Sequence, residues 1–264
     1  MKKYFLILCG VFLFSSSIYA EKINIKKVIH RVYNNFKNIN TFKSRITKEL
    51  YYNKKIISQY KGNLITDNKK NYIFIHYFKP ESIDYISADN RLFICNHKGK
   101  YFANIKLKKV SPTTRTFFMN AQKISFNVFY LLGNYFKFKF KRVWKNKIII
   151  SGTSLTDKKG SDKFSLLIGI DRKLPVVRVV ELFYEQALVY QIVYSDIKKI
   201  KNVYIPKRIT SKISVGGGLY SEEIKYNYIR INPHIDKNIF KIKEKEYLKK
   251  GYEKLSDDIN TYFY

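Results

Sequence analysis

A chain of 264 residues, 45% of them hydrophobic, can bury one large β domain or two ordinary ones. Its formal net charge of +31 would suit a nucleic-acid binder. The excess is spread along the whole chain, however, and Lys travels with abundant Ile, Tyr, Phe and Asn, as A/T-rich codons produce. Nucleic acid is therefore not the expected partner, and an anionic lipid surface suits the charge better.

Met1-Lys2-Lys3, an apolar segment over residues 4–14 and Ser15-Ser16-Ser17 before Ala20 read as a secretory signal peptide, residues 1–20, cut before Glu21. Cys9-Gly10 does not make a lipoprotein signal, because Leu8 stands where a small residue is needed. No later apolar run approaches the ~18–20 residues of a membrane-spanning helix. The mature chain is thus expected to be soluble and exported to the periplasm. Cys9 leaves with the leader, and Cys95 alone cannot form an intramolecular disulfide, so the fold must rest on its core.

Between residues 21 and 40, Ile25, Val28, Ile29, Val32, Tyr33 and Phe36 stand at helical spacing against a Lys/Asn-rich face. Such a helix packs on a core or, over a curved sheet, serves as a lid. Residues 42–52 and 55–66 predict a hairpin turning near Asn53. The stretch 62–101 then holds three apolar runs, 71–78, 82–87 and 92–94, parted by Lys79-Pro80-Glu81 and Asp89-Asn90. Tight turns between such runs predict antiparallel strands. In 72–78 neither face is clearly the wet one, so the sheet must be covered on both sides or hold something apolar.

A strand is expected over 101–107. Ser111-Pro112 breaks the pattern, and the apolar residues of 117–132 predict one or two short helices ending at Gly133. Alternation resumes at 135–144, where Phe136, Phe138 and Phe140 face one way and Lys137, Lys139 and Lys141 the other. Strands follow over 147–155, 163–170, 176–185, 188–196, 203–214 and 222–231, with turns at 157–160, 171–175, 186–187 and 216–218. This order predicts a mainly β fold with a few helices, built on one curved antiparallel sheet. With no linker and no repeat, residues 21–242 read as one domain, and the charged tail 243–264 as helical or poorly ordered.

Residues for chemistry are sparse. His30, His76, His97 and His234 are scattered, and Cys95 with His97 would share one face of a strand as half of a metal site lacking its other ligands. There is no nucleophile elbow, and Gly216-Gly217-Gly218 lacks the Lys-Ser/Thr of a phosphate loop. No catalytic residue, metal or cofactor is expected.

Several short signatures stand in the order of the LolA family of periplasmic lipoprotein carriers, over about residues 25–240. Tyr60-Lys61-Gly62-Asn63-Leu64 followed by Tyr72-Ile73-Phe74 resembles the family's Gly-x-Leu strand and its aromatic successor. Lys79-Pro80-Glu81, Ser87-Ala88-Asp89-Asn90 and Leu92-Phe93-Ile94-Cys95-Asn96 resemble its central meander. Phe129-Tyr130-Leu131-Leu132-Gly133-Asn134 is similar to its mid-chain helix end. Asp171-Arg172-Lys173-Leu174-Pro175, Tyr194-Ser195-Asp196, Asn202-Val203-Tyr204-Ile205-Pro206 and Ile231-Asn232-Pro233 with Phe240 resemble its late strands.

The resemblance implies an incomplete, half-open β-barrel under a helical lid, with an apolar cavity for acyl chains and no catalysis. It also implies a monomer whose partners are acylated lipoproteins or other lipids, an inner-membrane lipoprotein-releasing ABC transporter and an outer-membrane acceptor. Cavity candidates are Ile46, Leu64, Tyr72, Phe74, Phe93, Phe117, Phe118, Phe126, Phe129 and Leu131, each of which ordinary core packing explains equally well. The family's carriers have an Arg-Pro pair after the Gly-x-Leu strand, whose Arg helps latch the lid. Here Asn68-Lys69 stands in that turn. Two other readings stay open: a carrier or sensor of other lipids, and a structural envelope protein with a filled core.

Overall fold

The computed structural model describes residues 23–107, 136–155, 164–215 and 217–255. The helix expected over 117–132 lies outside these residues. Helix α1 (Ile25–Phe36) starts where the Asn24 side chain accepts the Lys27 amide at 3.2 Å. It is followed by a run of strands: β1 (Thr41–Tyr52), β2 (Lys55–Asp67), β3 (Tyr72–Lys79), β4 (Ile83–Ala88), β5 (Arg91–Asn96) and β6 (Tyr101–Lys106). After residues 108–135 come β7 (Phe136–Trp144), β8 (Lys147–Ser154), β9 (Phe164–Asp171), β10 (Val177–Tyr184), β11 (Ala187–Ile200), β12 (Val203–Val215) and β13 (Gly218–Ile231). A 3-10 turn (Lys237–Phe240), helix α2 (Glu244–Lys249) and β14 (Glu253–Lys254) close the described chain.

All strands join one sheet in the order β14-β6-β5-β4-β3-β2-β1-β13-β12-β11-β10-β9-β8-β7. Every pairing is antiparallel except β14 with β6. The sheet is curved, and its edge strands β14 and β7 are not paired with each other, so it remains an open barrel. Lys137, Lys139 and Lys141 stand on β7, whose outer edge has no partner strand among the described residues, a common defence against edge-to-edge pairing. Among the described residues no helix is long and apolar enough to cross a membrane.

Pairing register sorts the side chains onto two faces. Phe42 and Ile46 of β1, Leu64 of β2, Ile73, Ile75 and Tyr77 of β3, Ile168 of β9 and Tyr226 of β13 form one core on the concave face, and α1 adds Val32 and Phe36 to it. The opposite face is polar along β1 and β13, where Glu49 accepts bonds from Tyr51, Gln59 and Lys225. It turns apolar along β3 to β6, where Ile86, Phe93, Cys95 and Phe102 form a second core.

That second core is covered by the C-terminal segment. Phe240 is 4% exposed and stacks on Tyr72 at 5.6 Å, and Tyr247 of α2 lies 5.3 Å from Phe93 and 6.0 Å from Phe102. Residues 244–249 of the charged tail are therefore helical, and β14 adds a strand that the sequence reading did not include. The predicted strand 222–231 also begins earlier, at Gly218, because the Asn53 turn holds Leu219 through its amide and carbonyl at 3.0 and 2.9 Å.

Helix α1 closes a gap in the sheet. Pairing of β12 with β13 runs only from Arg208 onward, so the backbone of Tyr204 is unpaired on that side. Asn35 fills it, donating to the Tyr204 carbonyl at 2.9 Å and accepting its amide at 2.9 Å. Arg31 donates to the carbonyls of Asp171 and Arg172 at 2.8 and 3.0 Å. Phe240→Ala should cost about 3–5 kcal/mol by removing a buried ring from the second core. A matching fall in the urea midpoint, at unchanged slope, is the outcome expected from equilibrium unfolding.

Candidate functional site: a trough closed at one end

The concave face grades from buried to exposed along the strands. Nearest α1, Phe42, Ile46, Ile205, Tyr194 and Tyr226 are buried. Midway, Tyr60, Tyr85, Leu182, Tyr190, Ile192, Ile209 and Ile224 are half-buried. At the far end Tyr52, Tyr220, Phe164 and Tyr184 are exposed. Two aromatic pairs form this rim, Tyr52–Tyr220 with centroids 4.8 Å apart and Phe164–Tyr184 at 5.0 Å. Antiparallel pairing brings the β1–β2, β10–β11 and β12–β13 turns to the same end, so the rim belongs to one mouth.

The closed end is polar and built from asparagines. Asn68 donates its side-chain amide to the Ile39 carbonyl at 2.8 Å, and its backbone amide to Asn40 at 2.7 Å. Asn232 accepts the Asn40 amide at 2.8 Å and donates to Asn38 at 2.9 Å. These bonds fix the link between α1 and β1, and with it the helix that stoppers the trough.

Midway along the trough sits one ion pair, Lys48–Glu222 at 3.0 Å, with side chains 25% and 22% exposed. Tyrosines surround it. Burial pushes the Tyr85 hydroxyl up to about 12. The same burial, with the Glu222 carboxylate adding to it, takes Tyr190 up to about 12. Tyr77, Tyr194 and Tyr226 are raised further, mainly by burial. All five stay neutral at ordinary pH, so this part of the trough offers apolar ring faces with a few polar tips. Such a surface can bind a flexible apolar ligand without demanding one geometry.

No protein-family model matches the sequence, and no curated protein sequence matches it. Solved structures do match by shape. A domain assigned to outer membrane lipoprotein sorting from Vibrio parahaemolyticus aligns at TM-score 0.59 and 11% identity, over 86% of this chain and 100% of that one. A LolA superfamily protein from Nitrosomonas europaea aligns at TM-score 0.52 and 9% identity, over 83% and 98%. The fold is LolA-like. A DUF1329 family protein from Desulfovibrio piger shares it at TM-score 0.58 and 10% identity, over 82% and 97%.

Within this LolA-like fold the Gly-x-Leu strand has a steric reason. A Cβ on Gly62 would meet the His76 carbonyl oxygen at 2.4 Å and the Tyr77 ring at 3.0 Å. Glycine thus lets Tyr77 lie across β2 and meet Tyr60 at 5.3 Å and Tyr85 at 5.8 Å. Leu64 and Ile46, expected in the cavity, do lie on the concave face, although both are buried in its core. Tyr72, Phe74 and Phe93 do not join them: they lie on the opposite face, under the C-terminal segment. The shift of one residue against Ile73 and Ile75 is what sends them there. Phe117, Phe118, Phe126, Phe129 and Leu131 lie outside the described residues.

In the candidate latch turn, where this chain lacks the family's Arg-Pro pair, Asn68 ties α1's connector to the sheet, while Lys69 contributes its backbone amide to Asp67 at 3.1 Å. The sequence reading did not pick out Lys48, Tyr60, Tyr77, Tyr85, Tyr190 and Glu222. Parity with Ile46 and Leu64 would have found Lys48 and Tyr60, but Glu222 and Tyr190 need the register of β13 and β11.

The raised tyrosines carry a sign. An unfolded tyrosine loses its proton near pH 10, whereas Tyr85 and Tyr190 hold theirs to about 12. Their stabilisation is complete below pH 10 and is lost as pH rises through the folded value. Stability should therefore fall between pH 10 and 12, and phenolate absorbance near 295 nm should rise in a second step that coincides with unfolding.

Proposed function

We propose that this protein is a periplasmic carrier that shields the acyl chains of lipoproteins in its trough and moves them from the inner to the outer membrane. The observation that carries this reading is the asymmetry of the trough: stoppered by α1 at one end and rimmed by exposed aromatic side chains at the other. On a LolA-like fold, that is the shape of a sleeve that an acyl chain enters from its mouth. Each methylene moved out of water contributes ~0.8 kcal/mol, so burial alone can hold an acyl chain and transfer needs no catalytic group. Release requires only a receiving site of higher affinity. An inner-membrane releasing transporter would supply the cargo and an outer-membrane acceptor would take it, and the leader over residues 1–20 would place the carrier between them.

A second reading, a carrier of another lipid, is favoured by the Lys48–Glu222 pair, which gives the trough a charged point that could meet a polar head group. Purification of the protein from its own envelope, with mass spectrometry of whatever co-purifies, separates the two. Acylated protein is the expected cargo. Free phospholipid alone would favour the second reading, and no lipid at all, with no uptake of an apolar dye, would leave a filled structural core. Phe129→Asp should lower dye uptake several-fold in a chain whose circular dichroism is unchanged; full uptake by that folded variant would remove Phe129 from the site.

A further inference from the structure

Outside the trough, the second face holds a group of side chains that the carrier reading does not use. His76 of β3 and Asp84 of β4 are direct cross-strand partners, and Asp84 also faces Cys95 of β5. His97 stands two residues beyond Cys95, its amide held by the Ser82 carbonyl at 2.9 Å. The three side chains converge on one point: His76 Nδ1 lies 2.7 Å from one Asp84 oxygen, and His97 Nε2 lies 2.8 Å from the other. One ligand atom from each residue lies within 4.8 Å of the others.

We propose that His76, Asp84 and His97 form a binding site for a divalent transition-metal ion of the zinc class. Two imidazole nitrogens and one carboxylate oxygen are a donor set that such ions favour, at about 2.0–2.2 Å from the metal. Ligand atoms around a tetrahedral ion stand roughly 3.3 Å apart, so the existing cluster needs only small side-chain rotations to admit one. Asp84 is largely buried at 13% side-chain exposure, whereas His76 and His97 are 33% and 27% exposed, which leaves one side open for water as the fourth ligand.

An outer partner is also present. The other nitrogen of His97, Nδ1, lies 3.2 Å from the Tyr252 hydroxyl, so it can donate its proton there while Nε2 faces the metal. Tyr252 in turn meets Tyr247 edge-on with ring centroids 5.1 Å apart, inside the segment that covers the second core. Cys95 is not a ligand in this geometry. Its sulfur lies 3.9 Å from Nδ1 of His97, the nitrogen that points away from Asp84. The half-site suggested by Cys95 and His97 in the sequence thus resolves into a different set, completed across three strands. A metal here would fasten β3, β4 and the end of β5 and, through Tyr252, the C-terminal segment. This inference is independent of the carrier reading.

The test starts from the wild-type chain, stripped with a chelator and titrated with Zn²⁺ by calorimetry and with Co²⁺ by visible absorption. The site predicts one ion per chain, a rise in melting temperature on adding Zn²⁺, and cobalt d–d bands without a thiolate-to-metal charge-transfer band. In the imidazole NMR spectrum His76 and His97 should shift on zinc addition while His30 and His234 do not. Asp84→Asn and His76→Gln should abolish stoichiometric binding, and Tyr252→Phe should weaken it about 10–100-fold. Absence of stoichiometric zinc uptake by the wild-type chain would overturn the proposal, as would shifts at His30 or His234 in place of His76 and His97. Because the NMR and cobalt readouts use the unaltered chain, a variant that fails to fold does not decide the question.

Discussion

Apolar side chains on both faces of β3 to β6 are the constraint on which the rest of this structure depends. A strand pair can leave one face in water, but here Ile73 and Ile75 point one way while Phe74 and Ile86 point the other. Two separate coverings are needed, and the chain supplies them from its two ends. Helix α1 joins the concave core that holds Ile73 and Ile75, the segment from Ile235 to Tyr252 covers the other side, and Leu92, Ala103, Ile105 and Leu107 are buried in a separate cluster. The parallel pairing of β14 with β6 then fastens the outer cover to the edge of the sheet. The described part of the charged tail joins the fold for a plain reason: its Tyr247 and Tyr252, with Ile235, Ile239 and Ile242 just before it, are the apolar residues that the outer face lacks.

The trough inherits its asymmetry from the way α1 is held. Helix and sheet meet through backbone groups left over where β12 and β13 part, so Asn35 bonds replace missing ladder bonds. Bonds of this kind have direction and leave little freedom. At the mouth the contacts are ring against ring, which tolerate displacement. One end of the concave face is therefore held by directional hydrogen bonds and the other by ring contacts. Between them the Lys48–Glu222 ion pair is ringed by neutral tyrosines.

Composition shapes the turns as well. The sequence has only 11 Gly, yet tight hairpins need residues with positive φ. Asn53-Lys54, Asp89-Asn90 and Glu185-Gln186 adopt it at both central positions, and Asn71 and Asn232 adopt it singly. Asn and Asp tolerate this region because their short side chains can bond locally. Abundant Asn, which first looks like codon bias, therefore also supplies hairpin turns and the hydrogen-bonded clasp at the closed end of the trough.

By itself the sequence determined what local rules can determine. Helical spacing located α1, alternation and turn residues located most of the strands, and the ordered signatures around Gly62, Asp89 and Asp171 pointed to the LolA-like architecture. It also showed that residues 72–78 have no wet face. Which apolar residues face the trough was decided only in three dimensions, because both parities of β3 are apolar and only pairing with Leu64 and Ile86 breaks the tie. The same holds for contacts between residues far apart in the chain. Glu222 reaches Lys48, and His97 reaches Tyr252, through strand order and packing that no local pattern encodes.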